Sequence, residues 1–295
     1  MSAVLRVAFA SAVRHAADYL RILAADDRVE LVGVVEEADA PGWVRDDSRA
    51  VAERAGVPYA EVADVAAVAE ALGSAVDLVV VCAEPTRHAR LAAALLEAGL
   101  DVLVDKPVAT TLADADHLVA VAARTGRTCA VVNRTHAPAL RRLRAWVDAG
   151  HVGLPRHLDL EFLASGAHFA TSVERPGLVV DRELSGGGEL LNFLGYCADA
   201  AHHLTGLRTV EVHAFAGSLF LEPHREAGVE DTAVVTLELE RGVTATITLG
   251  RVPVAPGGTP TTSSVGLLGS HGPAVADYDA PAVARGGAAR RRPRA

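Results

Sequence analysis

Lysine is nearly missing from this chain: of its 28 basic residues one, Lys106, is a lysine and the rest are arginines. Aromatic residues are scarce at 4 %, methionine occurs once and cysteine three times. Cys82, Cys129 and Cys197 are odd in number and widely spaced. With no C-x-x-C pair and no His/Cys cluster, they argue against a disulfide framework and against structural zinc. Their apolar settings mark them as reduced core thiols of a cytoplasmic protein. A net charge of −9 leaves too little positive charge for a phosphate backbone, so no nucleic-acid partner is expected. No apolar run is both long enough and uncharged enough to span a membrane. Residues 3–12 end in an Ala-x-Ala pattern, but Arg6 interrupts the run and no basic segment precedes it. A first buried strand explains them better than a signal peptide.

Half of the residues are hydrophobic, and 295 residues is a natural length for two domains. Short apolar runs at 5–10, 29–35, 57–59, 77–82, 101–104 and 128–132 alternate with helical patterns over 47–55, 61–72, 87–98, 112–124 and 137–148. Strands apolar on both faces, separated by helices, imply a parallel sheet covered on both sides. After about residue 150 the strands lengthen and alternate: 156–163, 209–216, 232–240 and 243–249, the last two flanking a tight Arg241-Gly242 turn. Residues 190–204 read as a helix against that second sheet. The fold class is therefore α/β: a doubly wound parallel sheet over 1–125, then an α+β domain with an open, mainly antiparallel sheet over 126–284. Residues 285–295 form an Arg-rich tail without a single acid, which reads as solvated and disordered.

In a doubly wound sheet, ligands bind outside the carboxyl ends of the strands. A dinucleotide turn after the first strand favours G-x-G-x-x-G, so that the pyrophosphate can approach the helix N-terminus. This chain has Ser11-Ala12-Val13-Arg14-His15-Ala16 there. Val13 places a branched side chain where backbone is to meet phosphate, while Arg14 offers a compensating cation. The loop is open to two readings, a remodelled cofactor cradle or one that has lost its ligand. Glu36, ending the second strand, is placed to accept from ribose hydroxyls, which favours NAD over NADP. Val102-Leu103-Val104-Asp105-Lys106-Pro107 ends another strand at the same edge. Lysine is a compact point charge whose pKa the surroundings can tune, whereas arginine does not give up its proton. The one lysine of the chain thus stands where site chemistry is expected.

The run from Val79–Cys82 through His88 to Ala98-Gly99-Leu100-Asp101-Val102-Leu103-Val104-Asp105-Lys106-Pro107 resembles the glucose–fructose oxidoreductase / inositol dehydrogenase (Gfo/Idh/MocA) family. Its motif aGkhVlxEKP appears here with Asp for Glu. The likeness continues through Asn133-Arg134 and Gly153 to Gly186-Gly187-Gly188, and covers roughly residues 4–280. It implies a Rossmann domain followed by an open-faced α/β domain. The activity implied is hydride transfer between NAD or NADP and a carbon of a sugar, cyclitol or related polyol. It places Ser11, Ala12, Val13, Arg14, Glu36, Ala83, His88, Asp105 and Lys106 at the cofactor. Arg134, His168 and Asn192 are placed at the substrate.

The family's helix motif D-x-G-x-H falls on Asn192-Phe193-Leu194-Gly195-Tyr196. Asparagine replaces the aspartate, and tyrosine replaces the histidine, as in some branches of the family. The roles implied are Lys106 orienting the substrate oxygen, Tyr196 exchanging the alcohol proton and Asn192 orienting substrate. Asp199, His202 and His203 share a helix face at metal-ligand spacing, but a polar face is the simpler reading and no metal is expected. The family adds further elements after residues 274–277, so an early end is expected here. The open sheet implies a homo-oligomer. The competing reading is a non-catalytic homologue that keeps the fold as a ligand-sensing or protein-interaction module.

Overall fold

The computed structural model describes residues 4–166, 175–254, 261–278 and 283–285. The chain divides into two compact units. One runs up to Val132 and includes the segment ending at Gly186; the other takes the remainder.

The first unit is built on six parallel strands: β1 (Leu5–Ala10), β2 (Val29–Glu37), β3 (Tyr59–Val62), β4 (Leu78–Val81), β5 (Asp101–Val104) and β6 (Cys129–Val131). Their order is β3-β2-β1-β4-β5-β6. Helices α1 (Ala16–Ala24), α2 (Gly42–Ala55), α3 (Val68–Ala71), α4 (His88–Glu97) and α5 (Leu112–Thr125) connect them. The period of two in β1 sends Val7 and Phe9 to one core, with Leu20, Val51 and Ala52. Ala8 and Ala10 go to the other, with Leu91, Leu95, Leu118 and Val121. Both faces are dry, as the continuous apolar strands required. β6 belongs to this sheet, so the unit extends past residue 125.

Two elements depart from the sequence reading. Residues 61–72 are not one helix. The third strand runs on to Val62 and pairs with the end of β2 at the sheet edge. Asp64 then caps a short 3₁₀ turn by accepting from the Ala66 N–H at 2.9 Å. The alanine-rich pattern favours helix, but the open edge of β2 claims the first residues. Helix α2 begins at Gly42, a turn earlier than residue 47; glycine's low helix propensity hides that turn from pattern reading.

The second unit opens with α6 (Pro138–Asp148) and β7 (Pro155–Ser165). The short helices α7 (Gly177–Val180) and α8 (Arg182–Ser185) belong to the first unit. Then follow α9 (Glu189–Thr205), β8 (Thr209–Gly217), α10 (Glu222–Ala227), β9 (Thr232–Leu239), β10 (Val243–Val252), β11 (Thr261–Gly269), β12 (Gly272–Asp277) and β13 (Val283–Arg285). The sheet order is β13-β12-β11-β7-β10-β9-β8. Its pairs are antiparallel except β7–β10, which is parallel. Arg241 and Gly242, at φ 65° and 70°, make the β9–β10 turn in the left-handed region that such tight turns need.

One face of this sheet carries Leu158, Leu160, Phe162, Val235, Leu237 and Ile247 against Leu140 and Leu143 of α6 and Phe193, Ala200 and Leu204 of α9. Each fully buried leucine there contributes on the order of 2 kcal/mol. On the opposite face, the alternate residues of β9, Val234, Thr236 and Glu238, are exposed. The face is open, and Phe215 of β8 lies beside Val234 on it.

Candidate functional site

In the first unit the strand order reverses between β1 and β4, and the carboxyl ends of β1, β2, β4 and β5 carry the candidate residues. The loop after β1 is bonded closely into the protein. The Ser11 N–H donates to Val35 O at 2.8 Å, the Ala12 N–H to Ser48 Oγ at 2.9 Å and the Val13 N–H to Cys82 O at 3.0 Å. Ser11 and Arg14 have φ of 63° and 53°, so two non-glycine residues hold the left-handed path that glycines usually take. Val13 is 4 % exposed and packs on Ala40, Val44 and Trp43. Its branched side chain is therefore absorbed by the unit's own core. The Ser11 hydroxyl is buried with no hydrogen-bond partner among the described residues. Arg14 is 6 % exposed and its Nη1 donates to Lys106 O at 3.4 Å.

Asp105 organises the end of β5. Its side chain is fully buried. Oδ1 accepts from the Tyr19 hydroxyl at 2.9 Å and from the Lys106 N–H at 2.8 Å, and Oδ2 lies 2.8 Å from His15 Nδ1. Burial opposes ionisation of Asp105, but the charge and hydrogen bond of His15 and the charge of Arg14 outweigh it. The carboxyl is held below the ordinary carboxylate range. His88, at the start of α4, closes the arrangement. Its Nδ1 faces Pro107 O at 2.7 Å and its Nε2 faces Ala83 O at 2.8 Å, so the ring sits between the Lys106-Pro107 segment and the loop after β4 and donates to one of the two carbonyls. Burial pulls the His88 pKa below its usual value. Lys106, 7 % exposed, is thus held through its backbone on both sides.

Glu36 is fully buried at the end of β2. Its Oε2 accepts from the Ser48 hydroxyl at 2.9 Å, and its Oε1 accepts from the Glu37 N–H at 3.0 Å and from Arg87 Nη2 at 2.8 Å. The same guanidinium reaches Glu37 and Glu84, each at 2.8 Å. Ser48 therefore links the β1 loop to Glu36. Neither Ser48 nor Arg87 stands out in the sequence.

In the second unit, Asn192 and Tyr196 lie one turn apart on α9. Asn192 is 9 % exposed and donates from Nδ2 to Glu189 Oε2 at 2.8 Å. The Tyr196 ring is half-buried and stacks on Phe162, with centroids 5.6 Å apart. Arg134 donates to Ser263 Oγ at 3.3 Å, and its guanidinium lies 5.1 Å from the Phe162 ring, 5.9 Å from Tyr196 and 4.9 Å from Tyr278. His202 Nε2 is turned to Thr209 Oγ1 at 2.8 Å. His168 falls outside the described residues.

Gly188, the last of the glycine run before α9, has a steric cause. Glu230 caps that helix, its Oε1 accepting from the Gly188 and Leu190 N–H groups at 3.0 and 3.2 Å. A Cβ on Gly188 would lie 2.2 Å from Glu230 O, a backbone atom that cannot step aside. Gly188→Ala is expected to destabilise the second unit by about 2 kcal/mol, read as a lower urea midpoint.

The doubly wound parallel sheet and the residues at its carboxyl edge define a dinucleotide-binding type of fold. Residues 5–133 match the model of the oxidoreductase family with NAD-binding Rossmann fold, and residues 140–274 match the GFO/IDH/MocA C-terminal domain. The chain belongs to the GFO/IDH/MocA family of oxidoreductases. It is 27 % identical over 207 residues to the uncharacterized oxidoreductase YrbE of Bacillus subtilis, which covers 70 % of this chain and 57 % of that protein. It is 28 % identical over 176 residues to a myo-inositol 2-dehydrogenase of Thermotoga maritima, covering 58 % and 49 %. The chain thus spans less than two thirds of the length of these curated relatives. Among solved structures, GenD2 from gentamicin A biosynthesis, in complex with NAD, superposes with a TM-score of 0.76 at 25 % identity, over 94 % of this chain and 73 % of GenD2. An oxidoreductase domain protein from Kribbella flavida gives 0.78 at 25 % identity, over 94 % and 74 %.

Proposed function

We propose that the chain is an NAD(P)-dependent oxidoreductase acting on a CH–OH carbon of a sugar, cyclitol or related polyol. The observation that carries this reading is the near-complete burial of the one lysine at the end of β5, its segment pinned by the ionised Asp105 and by His88. A surface turn has no use for that construction. Relatives named myo-inositol dehydrogenase in Thermotoga maritima and Streptomyces leeuwenhoekii support a cyclitol-like substrate.

The β1 loop fits a dinucleotide. Ser11, at the first glycine position, keeps a left-handed turn, Val13 is tucked into the core, and the Ser11 hydroxyl is a buried polar atom still to be satisfied. Residues 11–14, with the β2 end at Glu36, would hold the cofactor. When bound, the nicotinamide supplies or takes up hydride. NAD is favoured over NADP because Glu36, Glu37 and Glu84 outnumber the two arginines among them, Arg87 and Arg90. Lys106 orients the substrate oxygen and favours its developing negative charge. Tyr196 exchanges the alcohol proton, its ring held by Phe162 and Arg134. Asn192 binds a substrate hydroxyl. The open face of the second sheet, with Phe215 and Val234 exposed, supports assembly of copies through that face, and three free thiols suit a reducing compartment.

NADH at 100 times its dissociation constant is expected to stabilise the protein by about 2.7 kcal/mol, seen as a raised melting temperature. NADPH at the same concentration should do less. No shift with either nucleotide at millimolar concentration would sink the oxidoreductase reading in favour of a fold-keeping, non-catalytic homologue.

A further inference from the structure

The second unit contains a buried polar cluster to which the family motif assigns no role. Glu189, the first residue of α9, is fully buried. Its Oε1 accepts from Arg251 Nε at 2.5 Å and faces His224 Nε2 at 3.3 Å, while its Oε2 accepts from Asn192 Nδ2 at 2.8 Å. Arg251 on β10 and His224 on α10 are themselves buried. Burial opposes the charge on Glu189, but the His224 hydrogen bond and the Arg251 charge overcome it and hold the carboxyl below its usual range. Its place in the first turn of the helix favours the anion further. An ionised carboxylate only accepts hydrogen bonds.

That constraint determines how Asn192 is set. With a carboxylate on one side, the amide must turn its nitrogen there and its Oδ1 the other way. An aspartate at that position would instead bring two carboxylates within hydrogen-bond distance, and one of them would have to keep a proton. This accounts for the departure from the family motif: the carboxylate of this helix turn stands at position 189, and position 192 is neutral.

We propose that Glu189 is a positioning residue that orients Asn192, so that its Oδ1 is presented to a hydroxyl donor of the substrate. The proposal rests on the oxidoreductase reading and deepens it. An oriented amide oxygen accepts from a hydroxyl and repels a carboxylate, so the substrate group that meets position 192 is a hydroxyl.

The test is a cycle of Glu189→Gln, Asn192→Asp and the double variant, in the full chain. Asn192→Asp is expected to lower the melting temperature by more than about 5 °C. The double variant should melt above that single variant despite its extra substitution. If the two losses simply add, the coupling between the two positions is overturned. In assays with NAD⁺ and myo-inositol, Glu189→Gln is expected to raise KM on the order of tenfold with a much smaller change in kcat. The double variant should recover KM, because its new carboxylate accepts from its new amide and still presents an oxygen. An unchanged KM in Glu189→Gln overturns the positioning role. A wild-type protein that neither turns over myo-inositol nor binds NADH overturns the oxidoreductase reading and with it the substrate role of Asn192. The melting cycle decides the pairing independently, so the two failures are told apart.

Discussion

Lys106→Arg is expected to bind NADH almost as the wild type does while losing about 10³-fold in kcat. The substitution keeps the charge and removes what distinguishes lysine, a compact ammonium able to approach one oxygen as a point charge. The backbone contacts that place Lys106, the N–H to Asp105 and the carbonyl to Arg14, do not involve the side chain. Fold and nucleotide affinity should therefore survive. Fluorescence titration with NADH, run beside steady-state kinetics, separates the two properties. A variant as active as the wild type would refute the role given to Lys106.

Asp105→Ala is expected to cost about 3–5 kcal/mol of stability, because three donors then face an apolar methyl group inside the protein. His15, Tyr19 and the Lys106 N–H all lose their acceptor. The pH dependence follows from the lowered pKa of Asp105. A carboxyl depressed in the folded state contributes its full stability above the unfolded carboxylate pKa of about 3.9, and loses it as the pH falls through that value toward the folded one. Urea unfolding between pH 7 and pH 3 should therefore show a steeper loss of stability at the acid end in the wild type than in Asp105→Ala. Parallel curves for the two proteins would show that Asp105 is not the ionised hub of this strand end.

Much of the architecture is legible because it lies in local pattern. β1, β5 and the body of α9 follow from runs of apolar residues and their period. Lys106 stands out by composition. The turn at Arg241-Gly242 follows from its residue types. What stays hidden depends on partners far along the chain. His15 and Tyr19 reach Asp105 across 90 and 86 positions. Glu36 has the look of a surface acid and is fully buried, since Arg87, 51 residues later, supplies the countercharge. Glu189 carries a faint signal, an acid immediately after three glycines and ahead of an apolar helix. Its partners Arg251 and His224 come from β10 and α10, and no spacing rule connects them. The extent of β3 is hidden for the same reason: its last residues favour helix locally, and only the free edge of β2 makes them strand.

The burial of Lys106 has an experimental consequence as well. This chain carries a single ε-amine, so an amine-selective reagent can modify one side chain and, beyond it, only the α-amino group. Acylation at Lys106 requires the reagent to reach the ε-amine at the end of β5, while the α-amino group serves as the internal reference. The ratio of the two labelling rates, followed by intact mass, measures how accessible that one amine is in the native protein. Ligands that bind there can be ranked by how far they slow its labelling, with no probe introduced and no residue changed.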